Sequence, residues 1–142
     1  MTSERRRKKA AGNLYYKLEK GVERPIVRIK VSNGGKAVYY YGLIDSGADM
    51  NLFHSEISDL LGITLETGVK GYMKGAVEGR PQVYYIHPIV LEVEGRSYGT
   101  YAAFMTNLSK NGHGLLGQRT FFNLFNKVSF GFTKKEIELV EK

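Results

Sequence analysis

Short apolar segments that end in glycine turns are the feature that most restricts the fold of this chain. Asn33-Gly34 follows one such segment, and it is a strong hairpin signal because both residues tolerate positive φ. Glu94-Gly95 separates a second pair of segments. The segments are rich in Val, Ile and Tyr, which favours strands over helices. The pattern predicts an all-β, barrel-like domain with little helix.

Strands are predicted along most of the chain, and helix is confined to two places. The predicted strands cover residues 25–31, 36–44, 65–74, 83–93, 97–106, 115–116, 128–132 and 137–140. Residues 55–61 place three apolar side chains on one face, which predicts a short helix or helical loop. A second short helix is predicted over residues 118–124. Residues 13–20 fit either a helical turn or an edge strand.

The length and the 42% hydrophobic content fit one domain with a modest core. Residues 1–12 are polar, charged and without periodicity, so we expect a disordered basic tail before a domain over residues 13–142. No apolar run reaches the roughly 20 residues of a membrane span, and the basic start lacks the apolar segment of a secretory signal. A soluble, cytoplasmic protein with no membrane partner is therefore expected.

Cysteine is absent from the sequence, which excludes both a disulfide framework and a cysteine-based metal site. The three histidines, His54, His87 and His113, are too scattered to suggest a metal site. His54 and His113 are expected to be surface or loop residues, because no partner residue adjoins them in the sequence. The sequence therefore predicts neither a metal nor another cofactor.

The net charge of +7 raises the question of a nucleic-acid partner. Residues 1–9 contain five basic residues, at positions 5–9, and one acid, so this segment carries +4 of the total. Such a run is most often a solvated terminus. The tyrosines at 39–41, 84 and 85 could stack on bases, but alternating strand packing is the favoured interpretation. A nucleic-acid partner is therefore not expected.

A single carboxylate, Asp45, directly follows the apolar run 38–44. The next residues, Ser46, Gly47 and Ala48, provide a hydroxyl and two positions with almost no side chain. Glycine permits a sharp turn and the close approach of another backbone. Asp-Ser-Gly also occurs in ordinary turns, and its position after an apolar strand is what favours a functional site. A strand that ends in this way holds one carboxylate at the bottom of a cleft.

The stretch YGLIDSGADM, residues 41–50, resembles the active-site signature of retropepsin-type aspartic proteases. The stretch GLLGQRTFF, residues 114–122, resembles the second signature of that family, and the segment 69–85 lies where the family carries its flap. The resemblance covers roughly residues 22–140. It implies a retropepsin-like acid protease β-barrel with one short helix near the C-terminus. It also implies an aspartic endopeptidase that acts on extended polypeptide segments.

Hydrolysis of a peptide by carboxylates alone requires two of them, one ionised to take a proton from water and one protonated to donate to the carbonyl. The chain has three aspartates, Asp45, Asp49 and Asp59, and Asp45 alone lies in an Asp-Ser-Gly sequence. A single chain would therefore contain half of an active site. If the chemistry is of this type, a twofold axis must supply the second Asp45, which predicts an obligate homodimer. The retropepsin family is similar in this respect.

The resemblance assigns roles to the residues that match the family's signatures. The Ser46 hydroxyl would bond across the dimer axis. Gly47 and Ala48 would leave room for the substrate backbone, Asp49 would hydrogen-bond that backbone, and residues 73–77 would cover the substrate and exclude water. The predicted site therefore consists of catalytic Asp45, supporting Ser46 and Gly47, and substrate-binding Ala48, Asp49, Met73, Gly75, Ala76 and Val77.

Two departures from the family pattern leave questions open. Retroviral members usually have an arginine after the glycine of the second signature, paired with the second aspartate. Here Gln118 follows Gly117 and Arg119 comes one place later, so Asp49 is held either by Arg119 or in another way. The segment 74–79 also lacks the paired glycines of viral flaps. Two alternative functions stay open: a catalytically silent module that binds peptides or proteins, and a basic nucleic-acid-binding protein.

Overall fold

Strands make up most of the computed structural model, which describes residues 10–74, 81–108 and 112–142. In chain order the strands are β1 Ala10–Tyr15, β2 Lys17–Glu19, β3 Val22–Arg24, β4 Ile26–Asn33, β5 Lys36–Ile44, β6 Leu52–His54, β7 Val69–Met73, β8 Gln82–Val93, β9 Arg96–Met105, β10 Gly114–Leu116, β11 Phe125–Gly131 and β12 Glu136–Glu141. The helical segments in these ranges are α1 Ser55–Leu60 and two 3-10 helices, Leu65–Thr67 and Phe122–Leu124. The predicted all-β architecture is confirmed.

Six strands close into a barrel around the hydrophobic core. They follow the order β4, β5, β10, β6, β9 and β8, and β8 pairs back to β4 to complete the ring. β10 lies parallel to β5 and antiparallel to β6, although both are remote from β10 in sequence. Because β10 lies between β5 and β6, the end of β5 is beside the end of β10, with Ile44 opposite Leu116.

The remaining strands extend from the barrel. β7 pairs with the first half of β8 and forms a hairpin with it. β1, β12 and β11 form an antiparallel sheet from the two ends of the described chain, and β2 pairs with β3. No helix in the described ranges is long and apolar enough to span a membrane.

The predicted hairpin between β4 and β5 is present, with its turn shifted by one residue. The turn occupies Gly34 and Gly35, with φ of 55° and 88°, because Asn33 is still paired within the strands. The second predicted turn, Glu94-Gly95, is confirmed, with φ of 51° and 76°. Both turns have positive φ at two successive residues, which matches the right-handed twist of the strands they join.

Aromatic side chains fill the centre of the barrel. Phe53 is fully buried and meets Tyr40 and Phe104 edge to face, with ring centroids 5.3 and 5.9 Å apart. Phe121, within the second signature, and Phe125, just after it, pack on each other with ring centroids 5.2 Å apart. These contacts add to the burial of the rings themselves. The core therefore lies directly beneath the strands that carry both signatures.

Several local predictions are corrected by the structure. Of the two alternatives for residues 13–20, the strand is the correct one, since most of the segment lies in β1 and β2. β1 begins at Ala10, inside the segment 1–12 predicted as a tail, and residues 1–9 lie outside the described part. The segment 65–74 begins with a 3-10 helix, because Thr67 and Gly68 donate back to carbonyls three residues earlier. β7 then starts only at residue 69.

The two predicted helices have different outcomes. The helix predicted over residues 55–61 is α1. The short helix predicted near the C-terminus is the 3-10 helix Phe122–Leu124, and residues 118–121 form a turn before it. Regular helix does not form because the N–H groups of Phe122 and Asn123 donate to carbonyls five residues earlier, and that of Leu124 donates to a carbonyl three residues earlier.

Replacing Phe53 with alanine should destabilise the fold by about 3–5 kcal/mol, because a fully buried ring is lost and a cavity remains. The control is Phe132→Ala, where the native ring is 71% exposed and the expected change is below about 1 kcal/mol. Urea denaturation followed by circular dichroism measures both changes. Equal losses of stability in the two variants would contradict the assigned core.

Candidate active site

Asp45 stands where β5 ends and the chain turns out of the barrel. Its N–H donates to the carbonyl of Leu116 at 3.0 Å. One residue earlier, the N–H of Ile44 donates to the carbonyl of Pro25 at 2.9 Å. These bonds fix the end of β5 against β10 on one side and the start of β4 on the other. The barrel itself therefore sets the position of Asp45.

The carboxylate of Asp45 is oriented by its own turn. Its Oδ1 accepts the N–H of Gly47 at 2.8 Å, and its carbonyl accepts the N–H of Ala48 at 3.1 Å. A Cβ at Gly47 would lie only 3.1 Å from Oδ1, so the small residue suits this arrangement. The other carboxylate oxygen has no hydrogen-bond partner among the residues that the structure describes. It is free to bind water or a second carboxyl.

The turn that follows β10 is hydrogen-bonded to the Asp45 turn. The N–H of Gln118 donates to the carbonyl of Ala48 at 2.9 Å, and the Gln118 side-chain amide donates to the carbonyl of Ser46. The N–H of Arg119 donates to the carbonyl of Asp49 at 2.8 Å. These three bonds join the two stretches singled out in the sequence into one structural unit.

Asn51, which no sequence motif singles out, connects both turns to the barrel. Its side chain is fully buried, and the amide nitrogen donates to the carbonyls of Tyr101 and Thr120 at 3.0 and 3.3 Å. Its Oδ1 accepts the N–H of Gly117 at 3.2 Å. Both amide protons and the amide oxygen are therefore used inside the protein. In the sequence, the one feature that could have pointed to Asn51 is its position directly before the apolar residues Leu52 and Phe53.

Gly117 allows the turn after β10, called the second turn below, to contact the backbone of the Asp45 turn. A Cβ at this position would lie 2.5 Å from the nitrogen of Met50 and 2.6 Å from its carbonyl carbon. Gly114 is similarly constrained, since a Cβ there would lie 2.7 Å from the carbonyl oxygen of Leu52. Contacts this short are not tolerated between a side chain and backbone atoms, so both positions require glycine.

The two turns and the β7–β8 hairpin line a cleft of about 450 Å³. Five predicted site residues contribute to the lining: Asp45, Gly47, Ala48, Asp49 and Met73. Seven further lining residues were not predicted: Met50, Leu52, Tyr72, Tyr84, Ala103, Leu115 and Arg119. Ser46 is exposed and is not part of the lining. The cleft therefore has mainly apolar walls around the Asp45 carboxylate.

The β7–β8 hairpin covers one side of the cleft. Its strands are paired as far as Met73 and Gln82. Gly71 lies opposite Tyr84, and the absence of a side chain at Gly71 leaves room for the Tyr84 ring, which lines the cleft. The remaining residues of the predicted flap, Gly75, Ala76 and Val77, lie outside the described residues.

Two charged side chains line the cleft without binding each other. Asp49 and Arg119 are both exposed and both described, and no ion pair joins their side chains. Asp49 is held instead through its backbone carbonyl, as described above.

On the hairpin, a hydrogen bond to Tyr72 raises the pKa of Lys70 above its ordinary value, so this exposed lysine is charged at neutral pH.

The histidines do not line the cleft. His54 is buried, and its Nδ1 accepts the N–H of Glu56 at 3.0 Å at the start of α1, so the prediction of a surface or loop residue is wrong for His54. His113 lies in the loop before β10, with Nε2 3.2 Å from a Glu19 carboxylate oxygen. In the described part of the chain, no group of three His, Asp or Glu residues is placed to hold a metal.

The tyrosines considered for base stacking alternate between two faces of β5. Tyr39 and Tyr41 lie on the outer face, where Arg28 and Lys17 approach their ring centroids to 4.0 and 5.2 Å. Tyr40 points toward the core, where burial raises its pKa. The three neighbouring rings therefore do not form one platform.

No protein-family model matches this chain, and no curated protein matches it either. Solved structures do match it. A retropepsin-like aspartic protease from Rickettsia conorii is similar with a TM-score of 0.65 and 16% identity, over 92% of this chain and 91% of that one. EIAV protease complexed with the inhibitor HBY-793 is similar with a TM-score of 0.50 and 19% identity, over 72% of this chain and 88% of that one. The chain therefore has a retropepsin-like fold, as the sequence motifs predicted.

Gly117→Ala should destabilise the protein by about 2 kcal/mol or more, because the new methyl group would meet the Met50 backbone. Gly99→Ala is the matched control, since a Cβ there has no atom within 4 Å and the stability should change by less than about 1 kcal/mol. Thermal or urea denaturation distinguishes the two cases. A fully stable Gly117→Ala protein would show that the two turns are not in contact.

Asn51→Asp should cost about 3 kcal/mol or more at pH 7, because a buried carboxylate would face two carbonyl oxygens and could not donate to them. Burial would raise the pKa of the new carboxyl in the folded state, so the loss should shrink as the pH falls toward about 4. Urea denaturation at several pH values measures this trend. Asn126→Asp, at an exposed position, is the control, and equal effects at both sites would refute the role of Asn51.

Proposed function

We propose that this chain is an aspartic endopeptidase that hydrolyses peptide bonds in extended polypeptide segments and acts as a homodimer. The observation that carries the proposal is the placement of Asp45 in a mainly apolar cleft, with one carboxylate oxygen held by the Gly47 N–H. The other oxygen has no partner in the described part of the chain. A carboxylate fixed in this way is oriented in advance for proton transfer.

In the proposed reaction two Asp45 carboxyls share one proton. The ionised carboxylate takes a proton from water while the water oxygen bonds to the substrate carbonyl carbon. The protonated carboxyl gives its proton to the carbonyl oxygen, which forms a tetrahedral diol. The C–N bond then breaks as one carboxyl protonates the nitrogen and the other takes a proton from a diol hydroxyl. The products are a carboxylic acid and an amine, and the pair again holds one proton.

The second carboxyl is proposed to come from another copy of the chain. Asp49 is the other carboxylate in the cleft lining of the described chain, but no hydrogen bond joins it to Asp45. A twofold axis beside the Asp45 turn would supply an identical Asp45 in the required position. Ser46 is exposed next to Asp45, so its hydroxyl would be free to bond across that axis.

The residues that line the cleft would suit an extended peptide as the substrate. Gly47, Ala48 and Asp49 line the cleft. Gly47 and Ala48 would leave space for a substrate backbone close to Asp45, and the carboxylate of Asp49 would accept a substrate N–H. Residues 73–77 would close over the substrate, with Met73, Gly75, Ala76 and Val77 contacting it. Apolar substrate side chains would pack on the walls, which include Leu52, Tyr84 and Leu115.

The similarity to solved retropepsin-like proteases supports this proposal at the level of the fold. A fold alone hosts many functions, and a binding module could have the same barrel. The complete Asp-Ser-Gly-Ala turn favours the enzyme over that alternative. A module that only binds peptides does not need an oriented carboxylate in its cleft.

Asp45→Asn should abolish peptide hydrolysis and leave the fold intact, because the amide keeps the shape of the side chain but cannot exchange the shared proton. The assay is cleavage of a mixed peptide library between acidic and neutral pH, followed by mass spectrometry. Wild-type activity should decrease toward alkaline pH, where the pair loses its last proton.

Asp59→Asn, at an exposed position on α1, is the matched control and should retain full activity. Circular dichroism and sedimentation should be unchanged in both variants. Wild-type activity in the Asp45→Asn protein would refute the proposed role of Asp45.

A further inference from the structure

Arg119 stands out among the arginines of the described part of the chain. Arg24 approaches Glu19 at 3.7 Å, Arg96 pairs with Glu141, and Arg28 lies over the ring of Tyr39. The guanidinium of Arg119 has neither a hydrogen bond nor an ion pair nor an aromatic ring within the described residues. It is also the arginine that lines the cleft.

The backbone of Arg119 is fixed although its side chain is free. Its N–H donates to the carbonyl of Asp49 at 2.8 Å, within the pair of turns that carries Asp45. The neighbouring Gln118 supports the turn through its side chain, which donates to the carbonyl of Ser46. The guanidinium of Arg119 is therefore not needed to hold the turn. The guanidinium therefore places a positive charge in the cleft from a backbone that is held rigidly.

We infer that Arg119 determines specificity by binding an acidic side chain of the substrate. This inference rests on the proposed function. A guanidinium matches the planar carboxylate of Glu or Asp and can donate two parallel hydrogen bonds to it. Asp49, whose carbonyl accepts the Arg119 N–H, also lines the cleft and has the opposite charge, and its proposed partner is a backbone N–H of the substrate. The two charges therefore serve different parts of one bound peptide.

The proposed dimer adds a consequence. Each copy contributes one Arg119, so a cleft that is continuous across the twofold axis has one guanidinium toward each end. An acidic residue should therefore be preferred at equivalent distances on both sides of the cleaved bond. A preference on both sides would not arise from a single basic subsite.

The test uses peptides with blocked ends, so that side chains supply the only carboxylates. Glu, Gln or Lys is placed in turn at each position around one cleavable bond, and kcat/KM is measured for each peptide. The wild-type enzyme should prefer Glu over Gln by about fivefold at one position on each side, as expected for a partly exposed ion pair. Arg119→Gln should reduce this ratio to about one, and Arg119→Glu should favour Lys instead.

Two further variants separate specificity from folding. Arg119→Lys keeps the charge and should retain part of the preference for Glu. Arg28→Gln removes an exposed arginine from the outer face of β4 and should leave the Glu-to-Gln ratio unchanged. Unfolding transitions of all variants should match that of the wild type, because both arginines are exposed.

The outcomes separate this inference from the proposed function. Wild-type cleavage with the same Glu-to-Gln ratio in Arg119→Gln would overturn the role of Arg119 and leave the protease proposal standing. A wild-type protein that cleaves no peptide of the set or of the mixed library would overturn both. A ratio that falls in Arg119→Gln and persists in Arg28→Gln supports the inference.

Discussion

The geometry of the candidate site depends on the buried amide of Asn51. Its side chain binds Gly117 and Thr120 on the second turn and Tyr101 on β9, while its own N–H donates to the Thr120 hydroxyl at 2.6 Å. A buried amide must keep such partners, because an unsatisfied polar group costs about 1–3 kcal/mol. The second turn is therefore locked to the barrel, and its N–H groups in turn position the Asp45 turn. These hydrogen bonds, made at a distance from Asp45, hold the turn within which the Gly47 N–H orients the carboxylate.

Much of the barrel could be predicted from the sequence because local chemistry decides it. Two predictions that depend only on residues adjacent in the chain agree with the structure. They are the turn with positive φ at Glu94 and Gly95 and the apolar strand that leads into Asp45. The pairing of β8 with β4 and the insertion of β10 beside β5 join segments that are distant in sequence. Periodicity contains no information on such partners. The motif resemblance supplied the fold that periodicity alone left undefined.

The parts of the site that could not be predicted have roles set by tertiary contacts. Asn51 is an ordinary amide in the sequence, and its importance comes from full burial and from three backbone partners. His54 gave no local signal for a buried helix cap. The sequence left open whether Arg119 pairs with Asp49, and the structure shows the two side chains unpaired in the cleft. The predicted flap residues 75–77 lie outside the described part and stay a prediction.

In the proposed mechanism one catalytic unit needs an Asp45 from each of two chains. Mixing wild-type protein with Asp45→Asn protein at constant total concentration, and allowing the subunits to exchange, tests it most directly. If both carboxyls are required, activity should follow the square of the wild-type fraction, so an equal mixture retains about one quarter of the activity. A linear decrease to about one half in the equal mixture, with exchange verified by mass spectrometry of the mixed dimers, would contradict a shared site.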